Sequence, residues 1–215
     1  MTKLKLYDYF RSSASYRVRI ALNLKGLAPD RAFVHLRKDE QRAPDFLKQN
    51  PEGLVPLLIV DERPISQSLA IMEYLDEAFP EPPLLPKGTL DRAYVRSIAL
   101  AVACDIHPLN NLRVLNYLSG PLHSDENARQ DWYAYWIEAG LSSIEEKLAR
   151  SGLAGRFCFG DRPGLADMCL VPQVFNAKRM NCDTETYPEI SRIVANCAAL
   201  PAFQAAEPSR QPDAE

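Results

Sequence analysis

Residues 4–26, LKLYDYFRSSASYRVRIALNLKG, contain the change of pattern that decides the fold. The first six of these residues alternate between apolar and polar side chains, which predicts a half-buried strand. After the polar loop at residues 11–15, the apolar residues from Tyr16 onward follow the dense spacing of a helix packed on a sheet, and Gly26 is placed to end that helix. A second strand is predicted at residues 31–36, so the three elements form a βαβ unit with parallel strands.

The residues that follow predict the other half of the same small domain. A short helix is expected near residues 43–48, a strand at residues 57–60, and an edge strand at residues 64–65, where a proline without an N–H is tolerated. A helix over residues 69–79 completes the order βαβ–ββα. We therefore predict an α/β domain over residues 1–83.

Four prolines fall within residues 80–88, which predicts a stiff linker. Beyond the linker no segment has a convincing strand pattern, so residues 89–215 are predicted to form an all-helical domain. Helices are expected at residues 89–118, 126–150, 165–176 and 187–200. The polar tail from Glu207 is expected to be loose. The predicted fold class is therefore α/β followed by all-α.

The composition argues against several classes of function. The 215 residues carry a net charge of −3, so no basic surface is predicted for a nucleic-acid backbone. The start of the chain lacks a signal-peptide pattern, and no stretch approaches the roughly 20 apolar residues of a membrane span, so we expect a cytoplasmic protein. The five cysteines show no Cys-x-x-Cys spacing, which argues against disulfide frameworks and metal clusters, and none lies before Cys104.

Residues 11–22, RSSASYRVRIAL, resemble the signature SSCSWRVRIAL of the zeta-class glutathione transferases. Further segments resemble the same class, namely QSLAI at residues 67–71, CDIHPLNN at 104–111, ADMCLVPQV at 166–174 and RQPD at 210–213. The resemblance covers essentially the whole chain and implies a thioredoxin-like N-terminal domain, a helical glutathione-transferase C-terminal domain and a homodimer. Ala14 replaces the cysteine of the signature and Tyr16 replaces its tryptophan. This departure from the signature means that no protein thiol in this loop can take part in the chemistry.

The same resemblance implies an enzyme that uses glutathione as its cofactor. The expected reaction is the cis–trans isomerisation of maleylacetoacetate to fumarylacetoacetate in aromatic amino acid catabolism. In it the thiolate adds to the cis double bond, the resulting single bond rotates, and the thiol is eliminated. Three alternatives stay open: a maleylpyruvate isomerase, a general conjugating or dehalogenating transferase, and a non-catalytic interaction module.

Three serines before the first helix are the candidate catalytic residues. A free thiol has a pKa of about 8.5, and a helix N-terminus with nearby hydroxyl groups can stabilise its anion. By the resemblance, Ser12 donates a hydrogen bond to the glutathione sulfur, with Ser13 and Ser15 beside it. The alternative is that these serines only cap the helix, Ser15 in particular.

Further glutathione-binding residues in the first domain follow from the resemblance. Arg17 adds positive charge near the thiol. Val55 precedes an expected cis peptide bond to Pro56 and would pair through its backbone with the cysteinyl part of glutathione. Gln67 and Ser68 open a helix, whose N-terminus is suited to the γ-glutamyl carboxylate.

The helical domain contributes candidates by the same resemblance. His107, Asn111 and Arg113 are expected to contact glutathione or the substrate, although a lone histidine more often has a structural role. Arg11 in the first domain and Arg179 in the second are candidates for binding the carboxylates of a dianionic substrate, because the guanidinium group suits that geometry. An arginine on a helix is otherwise usually part of a solvated face.

Overall fold

The computed structural model describes residues 2–215, and its N-terminal part is built on one mixed sheet. The strands are β1 Leu4–Asp8, β2 Asp30–Phe33, β3 Leu57–Val60 and β4 Arg63–Ser66. Their order is β2-β1-β3-β4, with β1 and β2 parallel and the other two pairs antiparallel. The predicted βαβ–ββα order is confirmed. β2 is shorter than predicted because the chain turns into a 3₁₀ helix at Leu36–Lys38.

Three helices accompany the sheet: α1 Ser13–Leu24, α2 Pro44–Gln49 and α3 Ser68–Ala78. Leu6 and Leu58 on the sheet, Ile20 on α1 and Ile71 on α3 are all fully buried. Each such side chain contributes about 1.5–3 kcal/mol through removal from water. This core holds α1 and α3 against the sheet. The N-terminal ends of these two helices form the candidate site.

The chain divides into two units whose limits differ from the predicted boundaries. They are Met1–Leu84 together with Ala198–Glu215, and Leu85–Cys197. From its sequence, the last segment is expected in the helical domain. In the structure it groups with the sheet, because α9, Pro201–Ala206, packs on α1.

Specific hydrogen bonds hold this last segment in place. The Nε of Arg19 on α1 donates to the carbonyl of Ala206 at 3.0 Å. Farther along, the carboxylate of Asp213 accepts the backbone N–H of Phe10 at 2.9 Å. The expectation of a loose tail from Glu207 is therefore wrong, because the side chains of Asp213 and Gln211 bind backbone groups of the first unit.

The second unit is built from helices, as predicted. They are α4 Thr89–Leu100, α5 Leu112–Ser119, α6 Glu126–Ser151, α7 Leu165–Arg179 and α8 Pro188–Ala198. Among residues 2–215, no helix combines the length and the apolar character that a membrane crossing requires.

The single helix predicted at residues 89–118 is wrong. A π-helical turn, Ala101–Ile106, follows α4, and the chain then leaves helical structure before α5. Pro108 has no N–H with which to continue the helix. The Oδ1 of Asn111 then accepts the backbone N–H of Arg113 at 3.1 Å and starts α5.

Candidate functional site

Ser12 is the N-cap of α1. Its backbone is extended, with φ −69° and ψ 114°, and its Oγ accepts the backbone N–H of Ser15 at 3.2 Å. Ser15 is therefore the partner of the cap and not the cap, which corrects that alternative. Because a hydroxyl can accept one hydrogen bond and donate another, the Ser12 proton stays available for an anion in front of the helix.

The three serines differ in accessibility. Ser12 is half-buried, whereas Ser13 is 4% exposed and Ser15 is 0% exposed. The Ser15 Oγ is enclosed and makes no hydrogen bond within the described residues 2–215. A ligand outside the unit can therefore reach the hydroxyl of Ser12 more readily than those of the other two.

The beginnings of α1 and α3 are electrostatically suited to anions. Neither helix has an acidic residue in its first turn. By contrast, α6 begins with Glu126 and α7 carries Asp167 in its first turn. Because a helix N-terminus has a partial positive charge and unpaired N–H groups, α1 and α3 keep that field for a ligand such as a thiolate or carboxylate.

Arg17 connects these two helix beginnings. It lies on α1, is 1% exposed, and its Nη1 donates to the Oγ of Ser68 at 3.2 Å. Ser68 is the first residue of α3 and is itself buried. The arrangement therefore places a buried cation between the two N-termini, which adds to the positive potential at both.

Val55 offers unused backbone groups near the end of β1. Its peptide bond to Pro56 is cis, as the resemblance implied. Its side chain belongs to a buried cluster that also contains Tyr9 and Phe10, the residues just before the α1 loop. Within residues 2–215 no hydrogen bond is made by the backbone N–H or C=O of Val55. An extended ligand backbone could satisfy both groups.

Gln67 precedes α3 in a backbone conformation that is uncommon for a residue other than glycine, with φ 68°. Its side chain does not cap the helix. Instead its Nε2 donates to Glu52 at 2.6 Å, and the same carboxylate accepts the Ser66 hydroxyl at 2.7 Å. Sequence reasoning missed Glu52, because no local pattern links residues 14 or 15 positions apart.

Arg11 lies directly before the Ser12 cap. It is half-buried, and its guanidinium group is 5.0 Å from the centroid of the Phe10 ring. Stacking on an aromatic ring holds an arginine while leaving its N–H groups free to point outward. The geometry is compatible with a carboxylate-binding role.

The candidates of the second unit lie in two places. The Nδ2 of Asn111 is 3.5 Å from the Nε2 of His107, and Arg113 follows on the exposed side of α5. Arg179 is exposed at the end of α7. Burial raises the pKa of Tyr133 to about 12, and the positive charge of Arg179 opposes this rise. The assignment of these residues to ligand binding stays a prediction.

The geometry of the first unit has a defined chemical capacity. Two helix N-termini without acidic residues in their own first turns, a buried arginine and an accessible serine hydroxyl favour bound negative charge. The Glu52 carboxylate, held by Gln67 before α3, favours a positive group beside it. Among residues 2–215, no group of three or more His, Cys, Asp or Glu side chains is placed to hold a metal ion. The arrangement can stabilise a ligand-borne anion and orient an extended, peptide-like molecule along Val55.

Comparisons with known proteins agree with this geometry. Residues 2–77 match the family model for the N-terminal domain of glutathione S-transferase. A protein of Vibrio cholerae serotype O1 named probable maleylacetoacetate isomerase is 48% identical, over 100% of both chains.

Two solved structures show the same similarity. One, described as the holo structure of maleyl pyruvate isomerase, a bacterial zeta-class glutathione S-transferase, is 45% identical with a TM-score of 0.96, covering 98% of this chain and 100% of that one. The other is a maleylacetoacetate isomerase of Methylobacterium extorquens AM1 with bound malonate and GSH. It is 41% identical with a TM-score of 0.95, covering 98% of this chain and 99% of that one.

Proposed function

Because the chain belongs to the zeta-class glutathione transferase family, we propose that it is a glutathione-dependent isomerase that converts maleylacetoacetate to fumarylacetoacetate. The 48% identity with a probable maleylacetoacetate isomerase, over the full length of both chains, supports this activity. The observation in the structure that carries it is the pairing of α1 and α3 beginnings, both without acidic residues, through Arg17 and Ser68.

The residues present fit glutathione. The unused backbone N–H and C=O of Val55 suit the cysteinyl part of a γ-glutamyl tripeptide. The N-terminus of α3, with Gln67 and Ser68, suits the γ-glutamyl carboxylate. At the other helix, the Ser12 hydroxyl and the N-terminus of α1 suit a thiolate, so these three parts of the cofactor meet groups of matching character.

Bound glutathione would supply a thiolate that adds reversibly to the cis double bond, so that the bond can rotate before the thiol leaves. Ser12 donates a hydrogen bond that stabilises the thiolate. Ser13 and Ser15 add hydroxyl groups in the first turn of the same helix, and Arg17 adds positive charge near the thiolate. Arg11 is assigned to a substrate carboxylate, and Arg179 to another. The relative from Methylobacterium extorquens AM1 was solved with bound malonate, a dicarboxylate, and GSH, which supports carboxylate-binding roles here.

His107, Asn111 and Arg113 complete the proposed set of glutathione-binding residues. Their assignment is supported by the family resemblance of residues 104–111 and by the contact of Asn111 with His107. The protein is further proposed to act as a homodimer in the cytoplasm, in line with its family and with its free thiols, which persist in a reducing compartment.

Maleylpyruvate is the second candidate substrate. The structural similarity to a maleyl pyruvate isomerase, with a TM-score of 0.96, supports it. The two substrates share the maleyl group and differ in the tail that is attached to it. The candidate site of the first unit therefore serves both reactions equally.

Turnover of maleylacetone, a stable analogue of maleylacetoacetate, and of maleylpyruvate tests the proposal when each is measured with and without glutathione. We expect isomerisation that depends on glutathione, with a higher kcat/KM for maleylacetone. A higher kcat/KM for maleylpyruvate would identify the second candidate. Failure of the protein to bind glutathione at high concentration would contradict both and favour an interaction module.

A further inference from the structure

We propose that Glu52 is a positioning residue that makes the site select the ammonium group of the γ-glutamyl end of glutathione. The proposal rests on the function proposed above. One Glu52 oxygen accepts the Ser66 hydroxyl at 2.7 Å, and the other accepts the Nε2 of Gln67 at 2.6 Å. Glu52 thus joins the loop before Val55 to the beginning of α3.

The loop that carries Glu52 is itself firmly held. The Nδ2 of Asn50 donates to the carbonyl of Leu54 at 2.8 Å, while its Oδ1 accepts the N–H of Glu52 at 3.2 Å. Gly53 has φ 62°, and a Cβ added there would lie 2.9 Å from the Nη1 of Arg42. The backbone at Glu52 therefore has little freedom, and the hydrogen bonds from Ser66 and Gln67 hold its carboxylate beside the start of α3.

Glu52 also determines which way the Gln67 amide faces. A carboxylate only accepts hydrogen bonds, so the NH₂ group of Gln67 must face Glu52. The Oε1 of Gln67 is then directed away from Glu52 as an acceptor. Glu52 and Gln67 are both exposed, so a ligand can reach them.

The resulting arrangement matches an α-amino acid head group. The N-terminus of α3 offers N–H donors to a carboxylate. The Oε1 of Gln67 and the negative charge of Glu52 offer an acceptor and a counter-charge to the ammonium group next to it. A ligand with the carboxylate but without the ammonium group gains only the first of these interactions. Glu52 therefore contributes to discrimination rather than to binding of every thiol.

Calorimetric dissociation constants for two ligands test this role. The ligands are glutathione and its deamino analogue glutaryl-cysteinyl-glycine. In Glu52→Gln one of the two donors loses its acceptor and the charge is lost, so we expect glutathione to bind about tenfold more weakly. The analogue should bind Glu52→Gln and the unmodified protein equally. Glu62→Gln, which removes a matched exposed charge from the β3–β4 turn, should change neither constant.

Kinetics provide a second measurement. We expect Glu52→Gln to raise KM for glutathione and to leave kcat at saturating glutathione unchanged, because the residue acts on binding of the cofactor. Equal weakening of both ligands, or an unchanged constant for glutathione, would overturn the role of Glu52 while leaving the proposed function intact. Absence of glutathione binding by the unmodified protein would overturn the proposed function itself.

Discussion

Ser12 combines a structural and a chemical task at one hydroxyl group. Its Oγ accepts the N–H of Ser15 and so stabilises the start of α1. Its proton is proposed to stabilise the glutathione thiolate. The two tasks use different parts of the hydroxyl, so variants can separate them.

Replacement of Ser12 separates the tasks. Ser12→Ala removes both the cap, at a cost of about 1 kcal/mol, and the thiolate donor, whereas Ser12→Gly costs only a few tenths of a kcal/mol as a cap. We expect both variants to lose about 10- to 100-fold in kcat/KM at neutral pH, because each loses a hydrogen bond to a charged group. Steady-state kinetics and thermal unfolding measure the two effects.

Ser12→Thr is the matched control, since it keeps the hydroxyl group. It should retain most of the activity of the unmodified protein. If Ser12→Gly kept full activity, the assignment of the thiolate donor to Ser12 would be wrong.

Tyr133 should make the stability of the fold depend on pH above 10. Burial raises its pKa from 10.0 to about 12, so the unfolded chain releases this proton first as the pH rises. The stabilising contribution is present below pH 10 and is lost between about pH 10 and 12, up to about 2.7 kcal/mol in total.

Tyr133→Phe removes this titrating group. We therefore expect its free energy of unfolding to fall less steeply between about pH 10 and 12 than that of the unmodified protein. Urea denaturation at several pH values measures the slope. Tyr135→Phe, at a 62% exposed position on the same helix, is the control. Identical slopes for Tyr133→Phe and the unmodified protein would contradict the prediction.

Residue roles could be predicted from the sequence only where a local pattern exists. Ser12 lies between a predicted strand and a predicted helix, a place that is typical of anion-binding hydroxyl groups. The link of Arg17 to Ser68 spans 51 positions, and no periodicity in the chain specifies it. Glu52 lies in a turn whose sequence indicates only a change of direction. Such contacts depend on packing of the whole unit.

At the scale of elements, the π-helical turn Ala101–Ile106 determines where His107 lies. The N–H of His107 donates to the carbonyl of Val102 at 2.9 Å, five residues earlier. Turns of this kind occur frequently at functional sites. Ile106, which ends the turn, is 1% exposed, and α6 faces it with Gly140.

A side chain at position 140 should disturb this packing. The Cβ of Gly140→Ala would lie 2.2 Å from the Cγ1 of Ile106, a stiff β-branched side chain that cannot easily move aside. We expect Gly140→Ala to destabilise the protein by about 1–3 kcal/mol, although alanine is the better helix former. Chemical denaturation measures the change.

Ile106→Ala provides the second arm of a double-mutant cycle. It removes the two atoms, Cγ1 and Cδ1, that would lie 2.2 and 2.3 Å from the new Cβ. In this background we expect Gly140→Ala to be neutral or stabilising. Additive destabilisation by the two substitutions would show that their packing is not coupled.

The elements that sequence patterns predicted are those with one clear period. The alternation in β1 and the apolar spacing of α1 and α3 specify their type, and the structure confirms them. The break between α4 and α5 was missed because the apolar spacing continues through it. Pro108 was the available signal, since a proline inside a helical pattern ends or kinks the helix. The elements that carry the candidate site of the first unit therefore match the sequence prediction more closely than the elements around this break.

At the scale of the whole molecule, residues 198–215 belong structurally to the sheet unit. Asp8 is fully buried and forms ion pairs with Arg19 and Arg31, and Gln211 accepts a hydrogen bond from Arg31 at 3.1 Å. This network joins β1, α1 and β2, and the first two of these elements lead into the candidate site. The end of the chain therefore helps to hold the site, which no local pattern in the tail predicted.

The proposed homodimer can be tested directly. We expect sedimentation velocity at micromolar concentration to give the mass of two chains, since members of this family usually pair. The same experiment with Ser12→Ala should give the same mass, because Ser12 acts at the thiolate. A mass of one chain across the concentration range would contradict the dimer while leaving the isomerase proposal intact.

The thiol pKa of bound glutathione tests the proposed site most directly. Ultraviolet difference titration of the complex follows the appearance of the thiolate with pH. A free thiol has a pKa of about 8.5, and we predict that the pKa of the bound thiol is lower by roughly 2. This difference corresponds to about 2.7 kcal/mol of preferential stabilisation of the anion. A bound thiol that titrates at the same pH as free glutathione in buffer would contradict the account.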